Sequence, residues 1–226
     1  MAADRLIHTH RFVPLTAPRV LGTIDRVRRG VHFSMIRGFQ LADLFTIANG
    51  FCGVAAVFEA MAYLDGRDVW HLYTAALLVP LALVFDVLDG RIARWLDSSS
   101  AMGREMDSLA DVISFGVAPA GIAYAAGVTS ALDQLALMYF VGCGLSRLAR
   151  YNITAETLAV DKGKVAYFEG TPIPTSVVPL ALLMVAFHQG ALFPVTVLGV
   201  ELHLPVLLFV LSGSLMISKT LRIPKP

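Results

Sequence analysis

Charge is scarce in this chain. Of 226 residues only 15% are Asp, Glu, Lys or Arg, against 56% hydrophobic residues and a mean hydropathy of +0.68. A soluble domain carries about 25% charged residues, so an ordinary soluble globule is excluded. An excess of one sign is missing too: 18 Lys and Arg offset 17 Asp and Glu, and no net basic field speaks for nucleic acid as a partner. Cysteine is nearly absent. Cys52 and Cys143 both lie in apolar runs without metal-type spacing, which leaves two small buried hydrophobes and no disulfide framework. The opening MAADRLIHTHRFVPLTAPRV lacks the uninterrupted apolar core of a signal peptide. The first apolar span is therefore expected to act as its own insertion signal.

Long hydrophobic runs are what the chain does have. They cover Leu41 to Leu64, Trp70 to Trp95, Met102 to Ala126, Leu132 to Ala149, Ile173 to Phe187 and Leu204 to Ile217. A spanning helix needs roughly 20 apolar residues. The expectation is an all-α integral membrane protein, a bundle of six transmembrane helices over residues 41–226, preceded by a cytoplasmic segment over residues 1–40. LDGRD, LDSSS, GVTS, a polar stretch from Asn152 to Thr171 and HQG supply the breaks. Ala191 to Val200 is also apolar and could extend a neighbouring helix or lie in the interface. Of the 18 Lys and Arg, only Arg67 falls on one side of this arrangement, which puts both termini in the cytoplasm and the chain in the inner membrane. Between Asp25 and Phe39, basic residues alternate with Val27, Val31, Phe33, Met35 and Ile36. That mixture suits an interfacial amphipathic helix on anionic lipid, or a plain basic flank.

A carboxylate inside a bilayer is costly and is by default a functional signal. Residues 86 to 111 hold four: Asp86 and Asp89 near the end of the second run, Asp107 and Asp111 near the start of the third. Each spacing puts both side chains on one helix face, and a tight turn around residues 97 to 100 would bring the two faces together. Four like charges in low dielectric repel, and no matching set of basic residues shares their faces. Divalent cations answer this most simply. Oxygen ligands without His or Cys favour Mg²⁺, Mn²⁺ or Ca²⁺ over zinc, and four carboxylates can hold two ions about 4 Å apart. Gly90, Ala93 and Gly103 leave room beside the acids, for an anionic substrate or for close helix packing. Arg94 and Arg104 flank the same place, where they could grip a phosphate or snorkel to the interface. His71, His188 and His203 sit near the opposite face, with no partner set evident in the sequence.

Asp86, Asp89, Gly90, Ala93, Arg94, Gly103, Asp107 and Asp111, at these spacings, resemble the signature of the CDP-alcohol phosphotransferase family. The resemblance implies a six-helix membrane enzyme with two divalent cations, Mg²⁺ or Mn²⁺, and a CDP-linked lipid donor, as a homodimer. It makes Asp86, Asp89 and Asp107 metal ligands and puts Asp111 at the metal edge as general base. Gly90, Arg94, Ser100 and Gly103 would line the pocket for cytidine and diphosphate. Asn49, at the depth of the acids, is similar to a first-helix asparagine that the family presents to the nucleotide; a helix-to-helix hydrogen bond is the other reading.

GLSRLARYNIT (144–154) and YFEGTPIPTS (167–176) resemble the phosphatidylserine synthase branch, with Tyr151 and Thr171 where Phe and Leu are usual. The resemblance implies CDP-diacylglycerol as donor and serine as acceptor. Arg147 and Arg150 could grip the serine carboxylate or a lipid phosphate, or be ordinary cytoplasmic helix-end arginines. Inositol phosphate, glycerol 3-phosphate and choline are the competing alcohols. A carboxylate-lined cation transporter is the competing class, and it would call for acids along a path across the membrane.

Overall fold

A computed structural model describes residues 41–96, 100–161, 167–197, 199–218 and 222–224. The expected interfacial helix and the rest of residues 1–40 lie outside the described residues. The chain is mostly helical. Its helices are α1 (Leu41–Gly66), α2 (Val69–Trp95), α3 (Ala101–Asp111), α4 (Ala118–Ala125), α5 (Ala131–Asp161), α6 (Val177–His188) and α7 (Val206–Ile217). A π-helical turn, Val112–Val117, joins α3 to α4 without a break, and a 3₁₀ turn, Ile173–Ser176, leads into α6. Three rods are long and apolar enough to cross a membrane: Leu41–Gly66, Val69–Trp95 and Met102–Ala125.

α1 and α2 form a helical hairpin whose turn is built from two residues. Arg67 takes the left-handed conformation (φ 56°) that ends α1, its N–H bonding Tyr63 O at 2.8 Å and its guanidinium lying over the Tyr63 ring. Asp68 then caps α2 by accepting from the Trp70 N–H at 3.1 Å. Along α1 the buried residues Ala42, Thr46, Asn49, Gly53, Ala56, Ala60 and Tyr63 repeat by alternating steps of four and three. Leu72, Ala75, Val79, Ala82 and Asp89 follow the same rhythm on α2, with Asp86 in the intervening place. This 3.5-residue seam is that of two helices packed side by side. One half of the seam is apolar and small; the other half carries Thr46 and Asn49 facing Asp86 and Asp89.

The remaining rods close over this hairpin. The apolar core runs through Leu72, Val79, Phe115, Ile122 and Leu183, and an edge-to-face pair, Phe140 on Phe209, joins α5 to α7 with ring centroids 5.3 Å apart. Gly53 marks a tight approach of α1 to the π turn: a β-carbon there would lie 2.7 Å from Ser114 Cα.

Three features differ from the expectation. α5 continues to Asp161, twelve residues beyond the expected end at Ala149, because YNITAETLAVD contains neither Gly nor Pro. Its 31 residues extend about 46 Å, more than a hydrocarbon core of about 30 Å requires. Ala191 to Val200, left open between extending a neighbouring helix and lying in the interface, extends no helix: Pro194–Val197 (β2) pairs antiparallel with Val200–His203 (β3). Proline without an N–H, β-branched valines and threonine, and Gly199 at φ +81° oppose a helix there. Tyr167–Glu169 (β1) pairs antiparallel with Arg222–Pro224 (β4). The histidines also need correction. His203 Nδ1 lies 2.6 Å from Asp133 Oδ2, His71 Nδ1 lies 2.6 Å from Glu59 Oε2, and His188 Nδ1 lies 2.8 Å from the Tyr73 hydroxyl.

Candidate active site

The end of α2 and the start of α3 bring three acids together. Ligand atoms of Asp86, Asp89 and Asp107 all lie within 4.8 Å of one another, with Asp89 buried and the other two partly so. Asp111, one turn further along α3, is buried to 6% exposure just before the π turn. Among the described residues no Lys, Arg or His nitrogen comes within 4.0 Å of any of these four carboxylates. What they receive instead are neutral donors from α1. Thr46 Oγ1 donates to Asp89 Oδ2 at 2.8 Å, and Asn49 Nδ2 donates to Asp111 Oδ1 at 3.0 Å. Neither donor offsets a charge, and Asp107 Oδ1 is buried with no hydrogen-bond partner. A clustered, oxygen-only, anionic and under-satisfied donor set fits a hard divalent cation.

A pocket of about 170 Å³ opens beside the cluster. Asp43 and Thr46 from α1, Asp89, Gly90 and Ala93 from α2, and Ser100, Gly103 and Asp107 from the start of α3 line it. A β-carbon at Gly90 would meet no atom within 4 Å, so that glycine leaves space open and is not required for helix contact. At Gly103 a β-carbon would crowd Ser100 Oγ at 3.0 Å and Asp43 Oδ1 at 3.1 Å. The Ser100 hydroxyl caps α3, accepting from the Gly103 N–H at 2.8 Å. This cap turns the chain so that Asp107 faces back toward α2.

Asn49 lies deeper than the pocket, against Asp111, and the Ser114 hydroxyl donates to its carbonyl at 2.8 Å. Gly53 allows that approach, and Gly50 gives Ala110 ordinary van der Waals room. Arg94 is exposed and turns back on its own helix, Nε donating to Gly90 O at 2.9 Å; the arginine among the pocket's lining residues is Arg104. Arg147, on α5, has a buried Nε without a hydrogen-bond partner and lies within electrostatic reach of Asp111. Arg150 reaches Ile217 O, at the end of α7, at 3.5 Å. Asn152 ties α5 to α3, donating to Ser108 Oγ at 3.1 Å and to both Glu105 carboxylate oxygens at 3.3 Å.

Asp43, Thr46, Ser114 and Asn152 are site neighbours that reading the acids alone does not find. Asp43, Thr46, Asn49 and Gly53 recur at helical spacing in an otherwise apolar α1, and that polar and small stripe is the signal in the sequence. Ser114 carries no comparable mark, and Asn152 stands out only as part of the GLSRLARYNIT run.

The family model described as CDP-alcohol phosphatidyltransferase matches residues 39–212, a range that includes every site residue named above except Ile217. The CDP-diacylglycerol–serine O-phosphatidyltransferase of Saccharomyces cerevisiae is 41% identical over 204 residues, 86% of this chain and 74% of that protein. The Bacillus subtilis protein of the same name is 31% identical over 64% of this chain and 75% of its own length. That of Helicobacter pylori strain 26695 is 38% identical over 64% of this chain and 56% of its own.

Proposed function

The chain belongs to the CDP-alcohol phosphatidyltransferase family of membrane transferases, and on that premise we propose that it transfers the phosphatidyl group of CDP-diacylglycerol to the hydroxyl of L-serine. The products are phosphatidylserine and CMP. The observation that carries this is the trio Asp86, Asp89 and Asp107 within 4.8 Å, without a cationic partner among the described residues, beside a pocket lined by Gly90 and Gly103. Serine as acceptor rests on the printed activity of the relatives.

Asp86, Asp89, Asp107 and the edge of Asp111 would hold two divalent cations, Mg²⁺ or Mn²⁺. Bound there, the cations would supply Lewis-acid stabilisation of the diphosphate and of the leaving CMP. Gly90, Ser100 and Gly103 would give the cytidine and diphosphate room and hydrogen-bonding surface, with Asn49 steadying Asp111 and Arg94 at the edge, where its Nε donates to Gly90 O. As the serine oxygen bonds to the β-phosphorus, which carries the diacylglycerol, the bond from that phosphorus to the CMP oxygen breaks. Asp111 takes the hydroxyl proton. Arg147 and Arg150 are assigned to the serine carboxylate or the lipid phosphate. Burial of the acids toward one end of the rods favours this chemistry over a transport path.

The six rods, α1, α2, α3 with α4, α5, α6 and α7, are read as six spans of a catalytic domain over residues 41–226. The near-exclusive placement of Lys and Arg on one side supports both termini and the site facing the cytoplasm at the inner membrane. A homodimer is the assembly we assign.

The test is CMP release by purified protein in detergent with CDP-diacylglycerol and Mg²⁺ or Mn²⁺, comparing serine, inositol phosphate, glycerol 3-phosphate and choline. Release that depends on serine and stops on chelation is expected; release with another alcohol alone would overturn serine as acceptor. Asp111→Asn is expected to abolish turnover while keeping CDP-lipid binding, and near-normal turnover would remove Asp111 as base.

A further inference from the structure

Two of the six rods are too short for the spans assigned to them. α6 and α7 have 12 residues each, about 18 Å of helix, against a hydrocarbon core of about 30 Å. Even with its 3₁₀ turn, α6 reaches only about 26 Å. The missing length lies at one end. α5 and α7 run side by side in the same direction: Arg150 reaches Ile217 O at 3.5 Å, Phe140 packs on Phe209, and Asp133 accepts from the His203 N–H at 2.9 Å. Asp133 to Arg150 rises about 26 Å and Val206 to Ile217 about 17 Å, so α7 begins about 9 Å below the level of Asp133. α6 stops short at the same end, its last residue, His188, meeting Tyr73 four residues past the start of α2. The β2–β3 hairpin occupies the level that both helices leave. Leu192 and Leu202 pack against the apolar core, and Leu192 Cδ1 lies 3.6 Å from where a β-carbon would be on Gly127, just past the end of α4.

Non-helical backbone enters hydrocarbon only where its polar groups are answered. The base of the hairpin meets this condition where α7 begins. Pro194 and Pro205 have no N–H, that of His203 goes to Asp133, and that of Leu204 donates to Phe193 O at 3.3 Å. The carbonyls of Leu204 and Pro205 accept from Leu207 and Leu208. The side chains that turn outward at this base are apolar: Phe193 is 63% exposed, Leu204 46% and Val195 43%. Leu204 also begins an exposed row that Leu207 and Leu211 continue at helical spacing along α7. Nearer the turn the character changes, where Thr196 pairs with Glu201 and both are exposed. Glu201 lies two residues, about 7 Å of strand, beyond His203.

We propose that the base of the β2–β3 hairpin is a lipid-facing part of the membrane domain that completes the α6 and α7 spans, with Phe193, Val195 and Leu204 against acyl chains and Thr196 and Glu201 among the headgroups. Its partner is the hydrocarbon of the leaflet opposite the acids. Asp133, by taking the His203 N–H, lets the strand edge sit at that depth. The proposal rests on the six spans proposed above.

The test places one tryptophan at a time in the full chain after both native tryptophans, Trp70 and Trp95, are changed to phenylalanine. Emission is compared in phosphatidylcholine vesicles with and without bromine on the acyl chains, which quenches a tryptophan that it touches. Leu211→Trp, on the exposed middle of α7, is the reference for a side chain in hydrocarbon. Phe193→Trp should lose about half of its emission or more, as the reference does, and Glu201→Trp less than about a fifth, because only the first lies at hydrocarbon depth. If Phe193→Trp keeps its emission while Leu211→Trp is quenched, the hairpin stands in water and the proposal is overturned, with α7 still a span. If Glu201→Trp is quenched as strongly as Phe193→Trp, the graded depth is overturned. If Leu211→Trp itself keeps its emission, the six-span reading fails first and this proposal with it. Should Phe193→Trp not fold, Leu204→Trp takes its place.

Discussion

The two ends of the bundle treat buried acids in opposite ways. At the end where α5 begins, Asp133 is fully buried and satisfied from within: it accepts from the backbone N–H groups of Ser130 and His203 and lies 2.6 Å from His203 Nδ1. Its own N–H donates to Ser130 Oγ at 3.2 Å, closing a reciprocal cap, and the β2–β3 hairpin is pinned to α5 by the same carboxylate. Glu59 near that end also has its histidine. At the other end Asp86, Asp89 and Asp107 crowd together, and among the described residues no cationic nitrogen comes within 4.0 Å of them while a neutral hydroxyl, Thr46 Oγ1, donates to Asp89. An apolar setting tolerates a carboxylate when the protein supplies the counter-group or when a ligand does. The first solution is architecture, and the second is a site.

Substitutions at the two ends should therefore separate activity from stability. The largest effect is expected for Asp107→Asn, which should lower CMP release by about a thousandfold or more, the scale of losing a metal-supported transition state. With chelator present its thermal midpoint should equal or exceed that of the unaltered protein, because one of four mutually repelling charges is gone; a clear drop would make the cluster structural. Asp133→Asn should do the reverse, costing about 2–3 kcal/mol of stability as charge-assisted bonds are lost, with kcat per folded molecule unchanged. Thermal unfolding in detergent alongside CMP release reads both.

Smaller effects refine the contrast within the site end. Gly53→Ala should lower the midpoint by several degrees, since its β-carbon would fall 2.7 Å from Ser114 Cα. Gly90→Ala meets nothing within 4 Å and should keep the midpoint while raising the KM for CDP-diacylglycerol several-fold. The smallest change is expected for Thr46→Val, which removes the hydroxyl that steadies Asp89 but leaves the acid cluster itself in place, and should lower kcat about threefold, part of the worth of one hydrogen bond. Thr46→Ser should recover it, and equal activity of all three forms would take Thr46 out of the site.

Much of the site could be read from the sequence because its chemistry is local. Asp86 and Asp89 sit one turn apart in one rod, Asp107 and Asp111 one turn apart in the next, and the short connection leaves few ways to arrange the two pairs. Asn49 could be placed by depth alone. Arg94 shows the limit of such reasoning: its position beside the acids is correct along the chain, yet its guanidinium turns back to Gly90 O. The end of α5 was hidden because polar residues compatible with a helix look the same as a loop. His203 seemed to have no partner because Asp133 is 70 residues away in the chain.

Composition and hydropathy by themselves determined a helical membrane protein, and the spacing of four acids pointed to a cluster that could hold a divalent metal. Burying charge in an apolar environment is so costly that few explanations survive. Tertiary structure alone decided that three of the acids cluster while the fourth accepts from Asn49, that Thr46 and Asn49 share a seam with Asp86 and Asp89, and that a π turn follows Asp111. Those outcomes depend on how closely α1 lets α3 approach at Gly50 and Gly53. Such contacts join residues about 60 positions apart, and no local pattern in the chain records them.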